Sequence, residues 1–148
     1  MMADAEFDVR ELDEFTKELL ELAEKTMPKE SKKFLQVEGN KLRRITAQKA
    51  RELIKKPKTR NYFKGIKRGK VYRYKDDKNQ LSIRIYGSSP HSHLLEYGHR
   101  MVGHKPDKEE LGFVKGYRIF EKAAKEFENE YFDDCEKFVE DMLEKGLS

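Results

Sequence analysis

Apolar positions recur at helical spacing in three stretches of the chain and alternate in a fourth. Leu12, Phe15, Leu19 and Leu22 repeat at intervals of 3, 4 and 3, with Leu20 and Ala23 widening the stripe, which predicts an amphipathic helix within residues 1–28. Asp8, with Glu11 three residues on, has the form of a capping box. Pro28 lacks an N–H and disfavours helix at Met27, so a break is predicted there. A second helix is predicted from about residue 30 to residue 56. Its stripe (Phe34, Leu35, Leu42, Ile45, Leu53, Ile54) is narrow, Gly39 and Asn40 weaken its middle, and Pro57 ends it. The C-terminal helix has the strongest pattern. Phe120, Ala124, Phe127, Tyr131, Cys135, Phe138 and Met142 follow at 4, 3, 4, 4, 3 and 4, and Gly146 offers a stop.

The centre reads differently. Residues 57–70 look like a loop or a ragged edge segment, and 71–75 and 81–86 like two strands, the second alternating Leu81, Ile83, Ile85 against Ser82, Arg84, Tyr86. The Asp-Asp-Lys-Asn stretch between them supplies turn chemistry for a β-hairpin. Pro90 can open a short helix over 91–97 that Gly98 stops. Residues 99–116 read as a long loop around a short strand at Phe113 and Val114. The fold class is therefore α+β: a small antiparallel sheet, hairpin plus short strand, covered by helices, with long N-terminal and C-terminal amphipathic helices.

Composition narrows this picture. At 148 residues the chain suits one domain. It is 41% charged and 36% hydrophobic, against about 25% and 45–50% in ordinary globular chains, so a thin core is expected, with part of the burial falling between subunits. No apolar run is long enough to cross a membrane. The acidic start without an apolar segment does not read as a secretion signal. A single cysteine, Cys135, suits a reducing compartment.

Charge is segregated. Residues 1–28 hold 3 basic and 9 acidic groups, residues 29–78 hold 19 and 5, and residues 79–148 hold 10 and 14. The basic middle could bind phosphate backbone, or dock on the acidic ends of its own chain or of a neighbouring copy. Docking is favoured, because acidic flanks would compete with nucleic acid.

Candidate chemistry is sparse. His91, His93, Glu96, His99 and His104 form the one cluster of reactive types, and an H-x-H pair suits imidazole ligation of a divalent metal. On a helix, however, positions i and i+2 point about 200° apart. The plainer reading is a helix start followed by a tight turn, with no metal, no cofactor, no catalytic residue and no enzyme activity expected. A metal-dependent nuclease built on His91, His93 and Glu96 is the third reading. No phosphate-cradling glycine loop and no nucleophile elbow occur, and Cys135 lies on an apolar stripe, where a thiol is inert. Tyr62, Phe63, Tyr72 and Tyr74 interleave with Lys64, Lys67, Arg68, Lys70, Arg73 and Lys75, so the alternative function is non-specific nucleic-acid binding through segment 41–75.

Three strings carry a family resemblance. They are PHSHLLEYGHRM at 90–101, GFVKGYRIFEKA at 112–123 and TRNYFKGI at 59–66, the last with Arg60 and Tyr62 where Gly and Leu are usual. Over about residues 30–145 the chain resembles the phage head–tail joining or tail-completion (neck) proteins of long-tailed phages, PBSX-like defective prophages and phage-tail-like bacteriocins. The resemblance implies a single structural domain, 1–148, made of an acidic N-terminal helix (1–28) and a tail-completion-like domain (29–148). It implies a neck protein that joins tail to head, or terminates the tail tube, as an oligomeric ring.

The same resemblance makes the turn of His91, His93, Leu94, Leu95, Glu96, Tyr97, Gly98 and His99 a folding device. Leu94 and Leu95 would plug the core, Gly98 would end the helix, and His93 and Glu96 would tie neighbouring loops. Expected partners are copies of itself in a hexameric ring, the neck, connector and tail-tube proteins, and threaded DNA by non-specific contact, with no membrane. Candidate subunit or ring contacts are Arg60, Lys64, Lys67, Arg68, Lys70, Arg100 and Lys105. The expected location is the neck or tail end of a virion or tail-like particle made in the bacterial cytoplasm.

Overall fold

In the computed structural model, residues 9–54, 61–74, 77–103 and 110–147 are described. α1 (Val9–Glu21) passes through a π-helical turn, Leu22–Thr26, into α2 (Met27–Leu53). The break predicted at Pro28 does not occur, and the wider turn is the reason. The Met27 N–H reaches back five residues to the Leu22 carbonyl, and this wider turn of a continuous helix is where Pro28, which has no donor of its own, is accommodated. Asp8, the Glu11 side chain and Pro57 lie outside what is described.

α5 (Ile119–Leu147) lies antiparallel on α2. Phe34 stacks on Phe138 with ring centroids 4.5 Å apart. Lys41 Nζ meets Asp134 Oδ2 at 2.7 Å, and Lys49 Nζ meets Glu126 Oε2 at 2.7 Å. Part of the basic middle thus docks on the acidic C-terminal helix of its own chain. The expected stripe holds at Phe127 and Met142, but the first turns bury Ile119 and Ala123 while Ala124 is exposed. Gly146 is no stop. The helix runs on to Leu147, and a Cβ at Gly146 would lie 2.6 Å from Leu22 Cδ1, so the glycine lets the start of the long N-terminal helix approach.

The strands form three two-stranded antiparallel ladders. After α3 (Asn61–Lys64) come β1 (Ile66–Arg68), β2 (Tyr72–Tyr74), β3 (Asp77–Ser82) and β4 (Ile85–Gly87). β2 pairs with β3 as the predicted hairpin, Tyr72 opposite Ser82, and β1 pairs with β4, Ile66 opposite Gly87. The Gly69 N–H donates to the Arg84 carbonyl at 2.7 Å, which joins the two ladders into one long bent hairpin. The strand predicted over 81–86 is therefore split at Ile83 and Arg84, because its halves pair with different partners. Gly39 faces this bend: a Cβ there would lie 2.9 Å from Ile83 Cδ1 and 3.1 Å from Arg68 Cδ.

Two segments read mainly as loop are more ordered than expected, although the short strand expected at Phe113 and Val114 is present. Segment 57–70 contains α3 and β1, because Tyr62 and Ile66 are core residues, packed with Ala50 and Ile119 and ringed by Leu53, Phe63, Leu95 and Phe120. Segment 99–116 is a second hairpin of β5 (Gly98–Val102) and β6 (Glu110–Lys115), with Arg100 opposite Phe113. Between the hairpins lies α4 (Ser92–Tyr97), as predicted. The core is thin, as composition implies. Among the described residues Ala50, Tyr62, Ile66 and Ile119 form the buried cluster, while large apolar side chains such as Phe15, Leu20, Phe113 and Phe132 stay exposed.

Candidate functional site

The PHSHLLEYGH turn joins the core, the second hairpin and the last helix. His91 precedes the first residue of α4, and the Gly98 N–H closes the helix on the Leu94 carbonyl. Gly98 has φ 88° and ψ 178°, a backbone conformation open to glycine alone. The chain then goes out along β5, returns along β6 and crosses back beneath α4. There the Tyr117 N–H donates to the Leu95 carbonyl at 2.7 Å and the Arg118 N–H to the Glu96 carbonyl at 3.1 Å, satisfying acceptors that a helix end leaves open.

The Glu96 side chain completes the turn. It is only 6% exposed, and its two carboxylate oxygens accept the Phe120 N–H at 3.0 and 2.9 Å, while Oε1 also accepts the Glu121 N–H at 3.2 Å. A carboxylate thus sits on the positive end of a 29-residue helix. Arg118, at φ 55°, lays its guanidinium over the Tyr97 ring, 5.3 Å from the centroid. Leu95 packs on the core, Leu94 is half-buried, and His91, His93 and His99 are exposed. His104 lies outside the described residues, among which no three His, Cys, Asp or Glu side chains gather to hold a metal ion.

A second feature is a groove of about 720 Å³ between α2, α5 and the first hairpin, walled by Leu42, Ile83, Phe127, Tyr131 and Phe132. Glu38 lies in it, 5% exposed. Burial first, then a hydrogen bond with Asp134 and that residue's charge, push the Glu38 carboxyl up to about 7, with Lys41 opposing. Asp134 goes the other way, lowered chiefly by its hydrogen bond with Lys41. Glu38 therefore holds a proton toward Asp134 that the unfolded chain would release near its ordinary value of 4.5. Between these two values the native state binds more protons, so this group's contribution to stability falls as pH rises from about 4.5 to 7 and is flat above. Glu38→Gln keeps a donor toward Asp134 and cannot ionise. It is expected to stabilise the chain by about 1–2 kcal/mol at pH 8 and to have little effect at pH 4, as read from urea unfolding at the two pH values.

Residues 13–98 match the family model described as "Bacteriophage HK97-gp10, putative tail-component". That covers more than half the chain, including the long N-terminal helix, the first hairpin and the turn through Gly98. The chain belongs to the HK97 gp10-like family. No curated protein and no solved structure matches it. The gp10-like match begins earlier than the resemblance read from sequence and ends at the first residue of β5, so the GFVKGYRIFEKA run lies beyond it. The family is one of phage tail components, which makes the gp10-like chain a tail-associated structural protein of the virion.

The candidate contacts scatter on this gp10-like fold. Lys64, Lys67 and Lys70 are exposed around β1, and Arg100 is exposed on β5. Arg68 is half-buried, its stem against Gly39 and one guanidinium nitrogen buried without a hydrogen-bond partner. Arg60 and Lys105 lie outside the described residues. Sequence reasoning missed the groove and the exposure of Tyr97, Phe113 and Phe132; of these, Phe132 falls off the predicted helix stripe, while Tyr97 was placed in the turn and Phe113 in a short strand. Among the described residues no helix is long and apolar enough to cross a membrane.

Proposed function

We propose that this gp10-like chain is a non-enzymatic protein of the phage neck or tail end, whose copies form a ring that joins tail to head or closes the tail tube. The observation that carries the reading is uncovered surface on a tail-component chain. Among the described residues the large apolar side chains of Phe15, Leu20, Tyr97, Phe113 and Phe132 are exposed, and a ring gives each copy two neighbours, each covering about 800 Å². A ring contact is heterologous, one patch meeting a different patch on the next copy, and a basic middle with acidic flanks supplies two such patches. Lys64, Lys67 and Lys70 are then available to adjoining connector or tail-tube rings, and exposed Arg43 and Arg44 to the phosphates of threaded DNA.

Electron microscopy of lysates from a strain lacking this gene tests the reading. Separate heads and tails, or tails of uncontrolled length, are the expected result. Intact joined particles would overturn it. The exposed cations of segment 41–75 also favour a second reading, non-specific nucleic-acid binding, and DNA binding by the isolated chain that weakens steeply with salt would bring it forward.

A further inference from the structure

We infer that the β5–β6 hairpin of one copy seats Phe113 in the α2–α5 groove of the next copy. The inference rests on the ring proposed above and names its two faces. Phe113 is 63% exposed, an unusual state for a phenylalanine on a paired strand. The register puts Arg100 directly opposite it and Lys115 opposite Gly98, so Phe113, Arg100 and Lys115 share one face of the ladder. Both cations are exposed. The hairpin therefore presents an aromatic ring framed by positive charge, and it packs chiefly on α4, standing away from the α2–α5 pair.

The groove has the opposite character. Its walls are apolar, with Phe132 63% exposed at the rim. Glu128 supplies its acidic side chain, with no ion-pair partner among the described residues, while Glu38 beside it is buried and hydrogen-bonded inward to Asp134. Lys125, the one cation of its lining, is held 3.8 Å from Glu121. A cavity of about 720 Å³ holds a phenyl ring and the side chains around it. Knob and hole lie on different elements of one chain, the arrangement that builds a heterologous contact and propagates round a ring. Matched charge fixes which way the hairpin enters and discourages hairpin-to-hairpin pairing, where cation would face cation.

The test uses the full chain and the native thiol, because Cys135 lines the groove and the wild-type chain has no other cysteine. A Lys115→Cys variant, which keeps the Phe113 ring and puts a thiol beside it on the same exposed face, is expected on treatment with a short bismaleimide to give a ladder of linked copies joined through Cys135, and adding Cys135→Ser should abolish the ladder. In solution, Phe113→Ser and Phe132→Ser change exposed side chains, and each should weaken self-association at least about tenfold by light scattering. Mixing these two variants leaves one intact knob and one intact hole, so the mixture should stop at dimers. If the wild type forms rings but neither linkage nor weakening appears, the inference falls and the ring stands. If the wild type stays monomeric both in solution and in purified particles, ring and inference fall together.

Discussion

Replacing Gly98 with alanine is expected to cost about 4 kcal/mol and to leave little folded protein at 37 °C, since most domains are stable by only about 5–15 kcal/mol. Two terms add. At φ 88° and ψ 178° the backbone lies where an L side chain pays about 1–3 kcal/mol in strain. The new Cβ would also strike the Val114 carbonyl oxygen and lie 2.8 Å from the Gly116 nitrogen, both backbone atoms that no rotamer change can move. Gly112 separates the terms. It has φ 140° with nothing within 4 Å of its Cβ position, so Gly112→Ala pays strain alone and should cost about 1–2 kcal/mol. Urea unfolding of the two variants checks the difference. Equal losses would mean that the crossing of β6 beneath α4 does not fix the turn.

The sequence announces this turn well because its signals are local. Pro90 opens α4, Gly98 closes it, and both lie within a few residues of what they control. The hydrophobic period likewise gives the long helices, and Leu81 to Ile85 gives the strand face. What escaped was decided at a distance. Pro28 reads as a helix break until a π-turn lets Met27 bond to Leu22. Segment 57–70 reads as loop because its charges hide two core residues, Tyr62 and Ile66, whose burial depends on Ala50 and Ile119. In segment 99–116 the strand at Phe113 and Val114 is legible and lies in β6, while its partner β5 escaped because a ladder with Arg100 and Lys115 beside Phe113 on one face lacks apolar alternation. The contact inferred above would account for that absence, since a strand left exposed for a partner has no reason to follow a core period.

The groove was invisible for a related reason. It is built by residues from α2, the bend of the first hairpin and α5, and it exists because Gly39 lets the bend come close. Read along the helix, that glycine is only a weak point of about 1 kcal/mol. Glu38 beside it reads as one more surface acid, and only the packing of α5 brings Asp134 to it and turns it into a proton holder.

Glu96→Ala is the other change expected to be severe, at about 3–4 kcal/mol. The last helix is the strongest in the sequence, yet no Ser, Thr, Asp or Asn stands at its start, where Gly116, Tyr117 and Arg118 lead in. The missing cap comes from 24 residues upstream, as Glu96 takes the Phe120 and Glu121 N–H groups. Truncation leaves both part-buried donors without their carboxylate, at about 1–3 kcal/mol, and removes an anion from the positive end of the helix, at about 0.3–1 kcal/mol. Glu96→Gln keeps an acceptor for these N–H groups but loses the charge, so it should cost about 1–2 kcal/mol. The pattern to look for by hydrogen exchange is loss of protection that begins in the first turns of α5 and spreads to the β5–β6 hairpin, because the same residue ends α4 and starts α5. Loss confined to α5 would make Glu96 a simple helix cap. Loss reaching the hairpin would make it the pin that holds Phe113 in position, and Glu96→Gln should then weaken self-association even where the fold survives.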